Sequence, residues 1–106
     1  MEPSRALRVE VGSSWRRWAR HRTDAELAEI NARLHELVDG FGQPHIHAGL
    51  GIRRLADNLF EFRSSHSLRV GFYFIKPQTI RLAMCGSHDD VRAWYSEANR
   101  VRIIRR

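Results

Sequence analysis

The sequence predicts an α+β domain of order β-α-α-β-β-β-α, with a mainly antiparallel sheet and a helical hairpin packed on one face. Three observations predict it. A period of two opens the chain. A period near 3.6 dominates residues 24–41. The period of two then returns in successive runs between residues 52 and 85, before a helical period closes the chain. With 106 residues there is room for one modest core, so residues 1–106 are read as a single domain.

The elements follow in order. Leu7, Val9 and Val11 alternate with Arg8 and Glu10, the pattern of a half-buried strand. Gly12-Ser13-Ser14 breaks it and offers an N-cap to a short helix over residues 14–21, where Trp15, Trp18 and Ala19 share a face. Thr23 and Glu26 form a capping box. After it Leu27, Ile30, Leu34, Leu37, Val38 and Phe41 make one apolar stripe, closed by Gly40, Gly42 and Pro44. Residues 42–51 read as loop. Strand runs follow at 52–55 and 58–63, with Asp57-Asn58 as a turn or bulge between them, then at 68–75 and 79–85, joined by a turn at Lys76-Pro77-Gln78.

Alternation in these strands predicts two different faces. Phe60, Phe62, Leu68, Val70, Phe72, Phe74, Ile80, Leu82 and Met84 form the core face, covered by the helices. Glu61, Arg63, Arg69, Tyr73 and Arg81 form a charged face suited to anions, and Cys85 ends the last strand on that polar side. From His88 or Asp89, the spacing of Val91, Trp94, Tyr95, Ala98 and Val101 predicts the closing helix.

Composition narrows the function classes. Formal net charge is +6, and of the 18 basic residues only Lys76 is lysine. Arginine's planar fork suits phosphate, so the excess of base points to nucleic acid or an acidic protein partner. No apolar run approaches the ~20 residues of a membrane span. The N-terminus lacks the apolar core of a secretory signal, and the lone Cys85 forms no internal disulfide. A cytoplasmic protein away from membranes is expected.

Three motifs stand out: Phe60-Glu61-Phe62-Arg63 at a strand end, the strand opening from Leu68 to Phe72, and Tyr95-Ser96-Glu97-Ala98 in the last helix. Through them residues 58–100 resemble the C-terminal half of the RelE/ParE toxin superfamily of type II toxin–antitoxin systems. The resemblance implies the RelE-like microbial ribonuclease fold and an mRNA interferase, commonly acting in the ribosomal A site. The implied reaction uses no metal or cofactor: the ribose 2′-OH attacks the adjacent phosphate and leaves a 2′,3′-cyclic phosphate. A cognate antitoxin, with a helix over the basic face, is the implied protein partner.

The resemblance also marks site residues. Arg69 is expected at the scissile phosphate, although it could equally pair with Glu61 across the sheet. His88, ordinarily titrating near neutrality, is expected as acid or base. Tyr95, two turns further along the helix, is expected to stack on a base or assist proton transfer, or else to pack in the core. RelE proper carries lysines on the strand of Leu59 and Glu61, so here Glu61 is a candidate general base or an ion-pair partner. Arg53, Arg54, Arg63, Arg81 and Tyr73 are expected to form an RNA track. Asp89 and Asp90 either lie beside the site or cap the helix. His45, His47, Cys85 and His88 come from segments too scattered to be read as a zinc site by spacing. A ParE-like gyrase inhibitor, or a non-catalytic member that binds RNA or protein, shares the fold and is the alternative.

Overall fold

The computed structural model describes residues 7–40 and 49–104, with side chains to residue 97. The α+β class and its mainly antiparallel sheet are present. The chain runs β1 (Arg8–Val11), α1 (Trp15–Ala19), α2 (Asp24–Gly40), β2 (Arg53–Ala56), β3 (Leu59–Arg63), β4 (Arg69–Ile75), β5 (Thr79–Gly86) and α3 (His88–Ile104). Strand order is β1-β5-β4-β3-β2. The β1–β5 pairing is parallel and the other three are antiparallel. Residues 53–63 form two strands, one more than the expected order. Asp57, at φ 37°, turns the chain so that Ala56 pairs Leu59; Asp tolerates this left-handed region better than most residues.

The local signals at α2 act as read. Thr23 N–H donates to Glu26 Oε1 at 2.8 Å, and Glu26 N–H donates to Thr23 Oγ1 at 3.1 Å. Ile30 and Leu37 are buried, with Leu27 and Leu34 packed beside them. Arg33 forms ion pairs with Glu29 and Glu36 within the helix. Ser14 stands at the α1 N-cap but does not cap it. Its hydroxyl instead donates to the Ala83 carbonyl of β5 at 2.7 Å. The expected stops at Phe41, Gly42 and Pro44 lie outside the described residues.

Two layers flank the sheet. On one face Phe62, Val70, Phe72, Ile80 and Leu82 pack with α2 residues and with Trp15 and Trp18 of α1, as expected for the helical hairpin. The register corrects the sequence reading near the end of β5. Phe72 pairs Leu82 but Gly71 pairs Met84, so Ala83 is bulged out of the alternation. One extra residue reverses every side chain beyond it. Cys85 therefore belongs to the main core at 0% exposure, not to the polar face, and Met84 shares the face of Gly71.

α3 crosses that second face. A Cβ on Gly71 would lie 2.5 Å from the Trp94 ring, so only glycine lets the indole rest on β4. Trp94 also meets Tyr73 edge-on, with ring centroids 5.8 Å apart. The supposed charged face thus carries a second apolar layer, with Leu59, Met84 and Val91 buried.

Candidate active-site cleft

α3 begins with a reciprocal cap. Ser87 N–H donates to Asp90 Oδ2 at 2.8 Å, and Asp90 N–H donates to Ser87 Oγ at 3.1 Å. A Cβ on Gly86 would lie 2.5 Å from Asp90 Oδ2, so the glycine admits the carboxylate. Asp90 is therefore the capping aspartate, while Asp89 is exposed on the first turn. The cap fixes His88 at the first helical position, exposed to solvent.

From there His88, Val91, Arg92 and Tyr95 follow one stripe of α3, spaced i, i+3, i+4 and i+7. With Arg53 and Leu55 of β2 they line a cleft of about 320 Å³. His88 and Tyr95 thus share one opening. Its rim holds two guanidiniums, Arg53 and Arg92. Arg92 was missed in the sequence, although its spacing from His88 placed it on the same stripe.

Behind the cleft lies a buried carboxylate. Glu61 is 1% exposed, opposite Arg53 in the β2–β3 register and diagonal to Arg69. Its Oε2 lies 2.9 Å from Arg53 Nη2 and 3.6 Å from Arg69 Nη1. Neither carboxylate oxygen accepts an aligned hydrogen bond among the described residues. Both contacts are therefore charge pairings rather than the fork-to-fork geometry that two parallel N–H donors would give. Arg69 does not itself line the cleft; it reaches it through Glu61 and Arg53. Arg63 is exposed and opposite Arg69 on the neighbouring strand, so these like charges face each other with Glu61 nearby.

The other expected RNA contacts stand apart. Arg81 pairs with Glu10 of β1. With Tyr73, Ser14 and Ala83 it lines a separate cleft of about 650 Å³. On β4, Trp94 rests above Gly71, between the positions of Arg69 and Tyr73, so the track is interrupted there. Burial pushes the Tyr73 phenol above its ordinary pKa, against a smaller downward pull from Arg81. Arg54 points to the opposite face of the sheet. Its Nε donates to the Asp57 carbonyl at 2.8 Å beside Phe60, Phe74 and Lys76. Arg54, Arg81 and Tyr73 are therefore not part of the His88 cleft.

Among the described residues, no three His, Cys, Asp or Glu side chains are grouped to hold a metal ion. His45 and His47 lie outside those residues. No helix among them is long and apolar enough to cross a membrane.

No family model matches the sequence, and no curated protein matches it. Solved structures do match the fold. The archaeal RelE–RelB complex from Pyrococcus horikoshii OT3 superposes with TM-score 0.61 at 14% identity, over 77% of this chain and 94% of that one. The E. coli DinJ–YafQ toxin–antitoxin complex gives 0.60 at 11% identity, over 80% and 96%. YafQ alone, from E. coli strain BL21(DE3), gives 0.56 at 11% identity, over 80% and 97%. The chain has the fold of RelE-type toxins.

Proposed function

We propose that this protein is the toxin of a type II toxin–antitoxin pair and acts as a ribosome-dependent endoribonuclease on mRNA. One observation carries the reading: an exposed histidine, a tyrosine and two arginines converge on a single cleft of a RelE-type fold. Cleavage by an internal nucleophile needs a proton acceptor at the 2′-OH, cations around the pentavalent phosphorane and a donor for the 5′-oxygen. His88 is the exchanging group. Arg53 and Arg92 supply the charge, backed by Arg69. Tyr95 offers a ring for a base or a hydroxyl for the second proton transfer.

The partner is an antitoxin with an acidic surface, matched to the chain's net charge of +6. The RelE and YafQ neighbours occur in complexes with RelB and DinJ, which supports a partner of this kind. The test incubates purified protein with mRNA, with and without ribosomes, in EDTA, alongside a gyrase supercoiling assay. RNA cleavage that persists in EDTA, with gyrase unaffected, is expected. Intact RNA with inhibited supercoiling overturns the ribonuclease reading in favour of a gyrase poison.

A further inference from the structure

We propose that Glu61 is a positioning residue, whose buried carboxylate holds Arg53 and Arg69 as a paired phosphate receptor behind the His88 cleft and takes no proton from the substrate. The inference rests on the ribonuclease reading above and specifies the division of labour within that site.

Three observations carry it. A proton acceptor must come within about 2.6–3.2 Å of the proton it removes. Glu61 is 1% exposed, and two guanidiniums share its Oε2. A carboxylate in that position is shielded from an RNA hydroxyl by the cations themselves. Second, Arg53 and Arg69 come from different strands, and only Arg53 lines the cleft. Glu61, on the strand between them, is the group both contact. Third, the arginines remain partly open. The Arg53 side chain is 60% exposed and Arg69 21% exposed, so each keeps donors for an incoming phosphate. Two cations on one anion leave a surplus positive charge facing outward. The arrangement fixes the long Arg53 side chain before RNA arrives, which lowers the ordering cost of binding.

Positioning and bulk charge predict opposite signs. Removing an anion from a basic surface ordinarily strengthens RNA binding. Removing a residue that orders two arginines weakens it. The probe is a short 2′-O-methyl RNA oligonucleotide, which cannot be cleaved because it lacks the nucleophile. Fluorescence anisotropy with the full chain compares wild type, Glu61→Gln, Arg53→Ala and the double variant. Thermal melting of each variant checks that it is folded. Glu61→Gln, which keeps the side-chain volume, is included because Glu61→Ala leaves a cavity.

Glu61→Gln is expected to weaken binding roughly tenfold, the scale of losing a supporting partner. It is expected to add little once Arg53 is gone, because the two act as one unit. In cleavage assays KM rises more than kcat falls, and the limbs of the pH profile stay in place. Unchanged or tighter oligonucleotide binding overturns the proposal, as does full additivity in the double variant. Loss of cleavage at unchanged affinity also overturns it, being the signature of a proton acceptor. Wild-type binding with the expected cycle but no cleavage of ordinary RNA leaves the positioning role standing and sinks the ribonuclease reading instead.

Discussion

At the scale of single residues, Cys85 and His88 show how far apart two neighbours can be in role. They are three positions apart, yet one is at 0% exposure in the core and the other is exposed at a helix start. Burial pushes the Cys85 thiol from its usual 9.0 up to about 11, with Arg22 pulling it down slightly and Glu26 adding to the rise. The folded protein therefore keeps its thiol proton at pH values where the unfolded chain has lost it. Stability from this group is complete below about pH 9 and declines as pH rises toward 11. Alkylation by iodoacetamide at pH 8 is expected to be slow in the native protein and fast after denaturation; equal rates would contradict the buried placement. The sequence pointed to His88 and to a capping aspartate, but not to which one. The choice falls on Asp90 because Ser87, three residues before it, can return the bond. Arg92 was overlooked because an arginine among many carries no signal of its own.

At the scale of elements, α3 decides the site. Its cap, its stripe and its seat on β4 are each sequence features with a physical reason. Ser87→Ala is expected to cost about 1 kcal/mol in chemical denaturation, the usual value of an N-cap. Gly71→Ala forces a methyl group into the Trp94 ring and is expected to cost about 1–3 kcal/mol. A changed near-ultraviolet dichroism signal from the tryptophans should accompany that loss; a neutral Gly71→Ala would mean Trp94 does not rest there. The second apolar layer was illegible in the sequence because a glycine in a strand reads as a gap rather than as a socket. The bulge at Ala83 was illegible for a related reason. Strict alternation through Met84 looked consistent, and nothing local marks which residue is skipped. By contrast, the α2 stripe and the Thr23–Glu26 box were legible because they depend on spacing within one helix.

At the scale of the molecule, a net charge of +6 and a cleft rimmed by arginines predict binding that is strongly salt-dependent. The logarithm of oligonucleotide affinity is expected to fall linearly with the logarithm of salt concentration. Arg53→Ala should reduce the slope by about one. An unchanged slope would remove Arg53 from the phosphate contacts. The fold class was readable from periodicity because each layer has its own repeat. The split of the basic residues was not. Arg81 and Tyr73 were expected beside Arg69, but the long-range placement of Trp94 divides them.

The central claim is that the α3 cleft cuts RNA through His88. The most direct measurement maps the termini of RNA exposed to the purified protein, comparing wild type with His88→Ala. Defined cuts bearing 2′,3′-cyclic phosphates are predicted, at a rate reduced at least about 100-fold in the variant. Uncut RNA with the wild type, or equal cutting by the variant, would contradict it.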